Sequence, residues 1–214
     1  MHEIVFDLQK EGWDKIYSRC DPIKYDDWLE NNLNAGVARN KGTALDVGCG
    51  SGGSIETLRG HGLVVSCFDY SKNAVDYVRS RYNVNCTEAD MSMAWPYDEN
   101  EFDLVVSDLS IHYFNEEKTR MILSEFARVM KTDGIGYIRV NSTDDINYGF
   151  GAGVEVEHNL FLNENKMKRF FDRCDIDRYF GERFDDVDCR QSSTTRFGKI
   201  KNVWEITVKL PNSR

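Results

Sequence analysis

Three glycines at Gly48-x-Gly50-x-x-Gly53 follow an apolar segment that carries Asp46, and further carboxylates recur at Asp69, Glu88 and Asp90. Glycines at this spacing make a tight strand-to-helix turn whose backbone, free of Cβ atoms, can approach a ligand closely. The run fits a dinucleotide fingerprint, and it fits equally a Gly48-x-Gly50-x-Gly52 turn with an acid two residues ahead. Charge separates the two. A carboxylate about 5 Å from a unit charge is worth roughly 3 kcal/mol at an effective dielectric of about 20, so Asp46 repels a pyrophosphate and attracts a cation. Helix-terminal amides offset part of that repulsion.

The other acids extend the same crevice. Asp69 stands about 20 residues beyond the turn, where a carboxylate accepts hydrogen bonds from ribose hydroxyls. In Glu88-Ala89-Asp90-Met91 a carboxylate can accept an adenine amino group while the thioether of Met91 packs on the ring. A cation, a ribose and an adenine coexist in S-adenosylmethionine (SAM), whose spent form is S-adenosylhomocysteine. Trp13 and Tyr17, one helical turn apart, can close over the methionine end of such a ligand, with core or surface packing as the alternative.

The surrounding pattern supplies the strands and helices. Thr43 to Val47 reads as a strand, Gly48 to Gly53 as the turn, and a helix runs on to about Gly60. Leu63 to Phe68 is the next strand, and Ser71 caps a helix whose Ala74, Val75, Val78 and Tyr82 share one face. Val84 to Thr87 and Phe102 to Ser107 follow as strands, the second an unbroken apolar run suited to burial on both faces. Asn115 caps a helix with Ile122, Phe126, Val129 and Met130 inward, which stops at Lys131-Thr132-Asp133-Gly134 before a strand over Ile135 to Val140. This alternation predicts an α/β fold with a doubly wound, mostly parallel sheet. Asn141 to Asn159 is too long for a routine connection and reads as a binding-loop lid. A helix around Glu164 to Arg173 and an antiparallel strand pair near Val187 to Thr195 and Asn202 to Leu210 close the chain.

Taken in order, Leu45-Asp46-Val47-Gly48-Cys49-Gly50-Ser51-Gly52, Phe68-Asp69-Tyr70-Ser71, Glu88-Ala89-Asp90-Met91 and Phe102-Asp103-Leu104-Val105-Val106-Ser107 resemble the motifs of class I SAM-dependent methyltransferases over residues 41–142. Lys166-Met167-Lys168-Arg169-Phe170-Phe171 and the closing strands are similar, more loosely, to the small tellurite-resistance-type branch. The resemblance implies a seven-stranded Rossmann-like sheet with an antiparallel last strand. It also implies that Asp46 and Gly48 hold the methionine ammonium, Asp69 with Tyr70 beside it the ribose, Asp90 and Met91 the adenine, and Ser107 to Leu109 the methionine portion near the methyl group.

Methyl transfer from a sulfonium asks the protein for orientation, water exclusion and, where the acceptor carries a proton, a base. His112, just beyond the fourth strand, is the candidate base, or else a histidine packed at a strand-helix junction. Acceptor-binding candidates are His112, Tyr113, Arg139, Asn141, Tyr148, His158 and Arg169. Carboxylates at Glu155 and Glu157 favour a cationic acceptor, whereas Arg139, Arg169 and Arg196 favour an anionic one, and the residues alone leave this open.

A net charge of −9, from 36 acidic against 27 basic side chains, disfavours nucleic acid and anionic membranes as partners, so the expected acceptor is a small molecule. The N-terminal residues show no basic start followed by a long apolar stretch, and no run reaches membrane-spanning length, which predicts a cytoplasmic protein, monomeric or homodimeric. The six cysteines (Cys20, Cys49, Cys67, Cys86, Cys174 and Cys189) show no metal-ligand spacing and read as structural thiols, so no metal is expected. Residues 1–214 are expected to form one domain, with a helical cap over 1–40, the cofactor core over 41–142, a lid over 143–163 and closing elements over 164–214. Two further readings remain: a SAM-binding partner protein without transferase activity, and an NAD-dependent oxidoreductase built on the same glycines.

Overall fold

The structure is a computed structural model, which describes residues 2–18, 25–35 and 42–210, and side chains from Lys10 onward. Cys20 and the parts of the expected helical cap at residues 1, 19–24 and 36–40 lie outside the described residues. A helix, α1 (His2–Tyr17), is followed by a short α2 (Trp28–Asn34), which buries Trp28, Leu29 and Leu33.

Strand β1 (Gly42–Val47) leads through the glycine turn to α3 (Ile55–Gly60), then β2 (Leu63–Asp69), α4 (Lys72–Tyr82), β3 (Asn85–Glu88), β4 (Phe102–Asp108), α5 (Glu116–Val129) and β5 (Met130–Asn141). β1 pairs in parallel with β2 and β4, β2 with β3, and β4 with β5. The side chains explain the helices. Ser71 accepts from the amide of Ala74 to start α4, and Asn115 accepts from Lys118 to start α5, whose Ile122, Leu123, Phe126 and Val129 turn inward at helical spacing. Burial of a ring such as Phe126 contributes about 1.5–3 kcal/mol.

The sheet order is β3-β2-β1-β4-β5-β10-β9, where β9 (Asp186–Thr194) and β10 (Lys201–Lys209) form the closing pair and β10 runs antiparallel to β5 and β9. Both faces are covered, one by a core with Leu45, Val47, Phe68 and Phe126, the other by a core with Trp28, Ile55, Val75 and Tyr137. The chain leaves β1 toward β2 on one side while β4 lies on the other, so the carboxyl ends of β1 and β4 frame the crevice where such sheets hold ligands.

Two expectations are corrected. The span predicted as a helix over 164–173 is the strand β8 (Lys166–Arg169), with Met167 and Arg169 buried in alternation; the helix α6 (Arg173–Gly181) starts later, from a capping box between Asp172 and Asp175. The stretch from Asn141 is not an irregular lid throughout. It contains a 3-10 turn at Ile146–Tyr148 and two strands, β6 (Val154–Glu157) and β7 (Leu160–Asn163), which with β8 form a three-stranded antiparallel sheet. In addition, β5 starts at Met130, directly at the end of α5, with a register irregularity against Phe102 and Leu104 in place of a separate turn.

Among the described residues no helix is long and apolar enough to cross a membrane.

Candidate functional site

A cavity of about 430 Å³ opens at the carboxyl ends of β1 and β4. Its walls include Trp13, Tyr17, Asp46, Gly48, Gly50, Asp108, Leu109, His112 and Tyr113 at one end and Tyr148, Lys168, Arg196, Phe197 and Lys201 at the other. A second cavity of about 110 Å³ shares Trp13, Tyr17, Gly48, Leu109 and Tyr113 with it and is lined also by Asp69, Tyr70, Asp90 and Met91.

The glycine turn owes its shape to backbone bonds. The amides of Gly48 and Cys49 both donate to the Phe68 carbonyl, at 3.0 and 3.1 Å. Gly48 has φ +68°, and a Cβ there would lie 2.5 Å from Cβ of Ser110 and 2.9 Å from Cε of Met91, so glycine is required on both conformational and steric grounds. Asp69 receives the amide of Gly50 at 2.8 Å and that of Ser71 at 2.9 Å, tying the turn to the end of β2. Burial raises the Asp69 carboxyl to about 6 although these two amides pull it down. Asp90 accepts from the amide of Ser92, while Glu88 turns to Lys10 at 2.9 Å, so Asp90 is the acid of its segment that lines the crevice.

Asp46 is buried, and its Oδ2 has no hydrogen-bond partner. Burial first, then the charges of Asp108 and Asp69, push its carboxyl well above the usual range. A buried acceptor without a partner is costly and is relieved by a cationic donor.

At the end of β4, Ser107 lies 2.7 Å from Ser110, whose hydroxyl donates to the Val47 carbonyl at 2.6 Å; Ser107 therefore braces β4 against β1 from inside. Leu109 has φ +58°, a left-handed conformation that costs a residue with a Cβ roughly 1–2 kcal/mol, and its amide donates to the Arg139 carbonyl at 3.1 Å. Asp108 is clasped by Arg139 at 2.7 and 2.9 Å and by Arg196 at 2.7 Å. Burial works against its ionisation, but the two guanidiniums prevail and hold it at about 2.

Helix α1 lies across the crevice. Asp14 accepts from the Ser71 hydroxyl, and the Asp14 carbonyl accepts from Asn73 at 2.9 Å. Trp13 meets Tyr113 edge-on at 5.2 Å between centroids, stacks near Tyr17 at 6.1 Å, and lies 5.7 Å from the Lys166 ammonium of β8. The phenol of Tyr17 approaches Gly50 so closely that a Cβ there would lie 2.5 Å from its oxygen.

The residues expected at the cofactor thus converge on the two cavities, except Ser107, which is buried behind the wall. The acceptor candidates divide. His112, Tyr113 and Tyr148 line the larger cavity. Arg139 is buried, with Asp26 at 2.8 Å as a further partner and the Trp28 ring 4.4 Å away. Asn141 is buried and accepts from Lys201 at 2.6 Å. Arg169 bonds the carbonyls of Phe114 and His158 and the carboxylate of Glu157. His158 is largely exposed, near Asp172 and Asp175. Arg139, Asn141 and Arg169 support the cavity from behind, and His158 stands outside it.

By the resemblance Asp108 falls within the expected Ser107 to Leu109, but sequence reasoning passed over Lys168, Lys201 and Phe197 as cavity residues, and treated Arg196 only as one of three interchangeable arginines. These come from β8 and the β9–β10 hairpin, which only the tertiary structure brings opposite β4. Burial, then the nearby ammonium groups of Lys201 and Lys168, push His112 well below its ordinary value, and its Nδ1 has no partner. The ring is therefore neutral at neutral pH and faces an incoming group with one lone pair and one N–H.

The buried cysteines also converge. Cys67 and Cys86 are register partners on β2 and β3, and the Sγ atoms of Cys49, Cys67 and Cys86 all lie within 4.8 Å of one another, packed with Ile55, Val75 and Val78.

These features fit SAM: a buried carboxylate with one partnerless oxygen beside a turn that admits no Cβ, then Asp69, Asp90 and Met91 along the adjoining cavity. Residues 44–134 match the family described as "Methyltransferase domain". Over these residues the chain carries a methyltransferase domain, and its sheet order is that of the class I SAM-dependent methyltransferase fold. Among relatives of this methyltransferase domain, "Arginine-hydroxylase NDUFAF5, mitochondrial" of Danio rerio is 33% identical over 143 residues, 61% of this chain and 43% of that protein. The "tRNA N(3)-cytidine methyltransferase METTL2" of Danio rerio is 29% identical over 140 residues, 59% of this chain and 40% of that protein. The chain thus spans well under two thirds of the length of either relative. A Burkholderia thailandensis 1,6-didemethyltoxoflavin-N1-methyltransferase, solved with its substrate and S-adenosylhomocysteine, superposes with TM-score 0.68 at 15% identity over 96% of this chain and 86% of that one, a likeness of fold.

Proposed function

We propose that the chain transfers a methyl group from SAM to a small-molecule acceptor bound in the larger cavity. The observation that carries this reading is that one cavity joins the glycine turn and Asp46 to a walled compartment ending at Lys168, Phe197 and Lys201, of a volume usual for small-molecule sites. SAM, when bound, supplies a methyl group already activated on a sulfonium, so the protein's part is positioning and exclusion of water.

Asp46 receives the methionine ammonium, which satisfies its lone oxygen; Asp69 serves the ribose, and Asp90 with Met91 the adenine. Asp108, ionised by its two arginines, places a fixed negative charge beside the Leu109 backbone. Trp13, Tyr17 and Tyr113 close the mouth of the crevice and keep water out. His112 accepts a hydrogen bond or a proton from the acceptor at a ring nitrogen, and burial keeps the ring neutral between turnovers.

Isothermal titration with SAM, S-adenosylhomocysteine and NAD, followed by single turnover of methyl-labelled SAM against a panel of small acids, phenols, amines and tRNA, tests the reading. Saturable binding of both adenosyl ligands with label transfer to a small molecule supports it. NAD binding alone, or transfer to tRNA only, overturns it, and SAM binding without transfer to any acceptor favours a SAM-binding partner protein.

A further inference from the structure

The far end of the larger cavity has a composition that the cofactor does not use. Lys168 on β8, Lys201 at the start of β10, Arg196 in the β9–β10 turn and His112 after β4 all line it, together with the aromatic side chains of Tyr148 and Phe197. The acids considered as favouring a cationic acceptor, Glu155 and Glu157, are engaged elsewhere: Glu155 accepts from the amide of Asn159, and Glu157 from the amide of Glu116 and from Arg169.

The charges at this end do not cancel. Arg139 and Arg196 are matched by Asp108 and Asp26, and Lys201 by Asp145 at 2.8 Å. Lys168 pairs with no carboxylate among the described residues; its ammonium donates to the Tyr148 carbonyl at 2.9 Å. Burial, then the neighbouring Lys201, push Lys168 down to about 8 against the weaker pull of Asp145, which is engaged by Lys201. Two further buried atoms here have no partner, Nδ1 of His112, whose residue is 1% exposed, and Nε of Arg196, whose side chain is 12% exposed. Both belong to residues on the cavity wall. A cation with no paired carboxylate, on a wall shared with Lys201 and Arg196, is suited to receive an anion.

Resting on the methyltransferase reading above, we infer that the methyl acceptor is a small anionic molecule. Its carboxylate or phosphate is held by Lys168 with Lys201, Arg196 and His112, and its apolar body lies against Tyr148 and Phe197. The Arg169 amide donates to the His112 carbonyl at 2.7 Å, so β8 carries Lys168 and the support of His112 as one unit. Asn141 and Asp145 hold the Lys201 ammonium, so Lys168 is the cation whose charge the ligand must answer.

Calorimetry on the protein loaded with S-adenosylhomocysteine, using benzoate, phenyl phosphate and the neutral benzamide, tests this with wild type, Lys168→Gln and Lys168→Arg. Benzoate or phenyl phosphate should bind at least about tenfold more tightly than benzamide. Lys168→Gln should lose about tenfold or more of that affinity while keeping its affinity for S-adenosylhomocysteine, and Lys168→Arg should restore part of it. The stronger of the two anions tells carboxylate from phosphate. Equal binding of benzamide, full retention by Lys168→Gln, or no anion binding by the loaded protein overturns the inference and leaves the cofactor assignment standing. Failure of the wild type to bind S-adenosylhomocysteine overturns the methyltransferase reading, and this inference with it.

Discussion

The substitution Asp69→Asn separates two roles that the carboxylate combines. In the folded protein its value is about 6, above an unfolded value near 3.8, because burial outweighs the hydrogen bonds from Gly50 and Ser71. Between those values the folded state binds the proton more tightly, so this group's contribution to stability falls as pH rises from about 4 to about 6. A shift of roughly 2 units corresponds to a penalty of about 3 kcal/mol in full; about 1 kcal/mol of it is present at about pH 4.5 and nearly all at about pH 7.5. Asp69→Asn removes the charge and with it that penalty, but the new carboxamide cannot accept from both backbone N–H groups, which costs about 1–3 kcal/mol at either pH. The variant should therefore gain about 2 kcal/mol relative to wild type between the two pH values, whatever the offset, as read by urea denaturation at each. Its affinity for S-adenosylhomocysteine at neutral pH should nevertheless fall by at least about tenfold, since the ionised acceptor beside the ribose is gone. A stability difference that does not change with pH would refute the burial account of Asp69, and unchanged affinity would refute its place at the cofactor.

Gly48→Ala should destabilise more than Gly50→Ala: both backbones are left-handed, but the new methyl at Gly48 meets the Ser110 Cβ, whereas at Gly50 it meets the swinging end of Tyr17. Equal losses in denaturation midpoint would contradict that ranking. Arg139→Met leaves Asp108 and Asp26 to Arg196 and should cost about 3–5 kcal/mol of unfolding free energy, and a loss below about 1 would show that the pair is not held as described. Trp13→Ala removes the edge contact with Tyr113 from the mouth of the crevice, so S-adenosylhomocysteine should dissociate several-fold faster with little change in association; an unchanged off-rate in stopped flow would remove α1 from the site.

The cofactor half of the site was legible in the sequence because it is built from local units. Each strand end carries its acid or glycine within a few residues of the strand that positions it, as Asp46 and Gly48 do on β1 and Asp69 on β2, so spacing along the chain translates directly into position. The capped helices and the closing strand pair were legible for the same reason: caps, periodicity and turn residues act over short range. Lys166 to Arg169 misled because four residues of mixed charge and apolarity suit either a helix or a strand, and pairing with Leu160 to Asn163 decides between them.

The acceptor half could not be read this way. Arg139 looks in the sequence like a ligand clamp and is a buried counter-ion of Asp108, while Lys168, anonymous in a run of basic residues, faces the cavity. Which of several arginines and lysines meets a ligand depends on which carboxylates lie nearby in space, and those come from Asp26, Asp108 and Asp145, remote in sequence. The amino-acid sequence by itself determined the layered sheet, the glycine turn and the order of acids along the crevice, because these follow from residue type and local spacing. Only the tertiary structure decided which charges cancel and which remain unpaired at the far end, because electrostatic pairing is set by distance through the fold and by burial, and neither is a property of neighbouring residues in the chain.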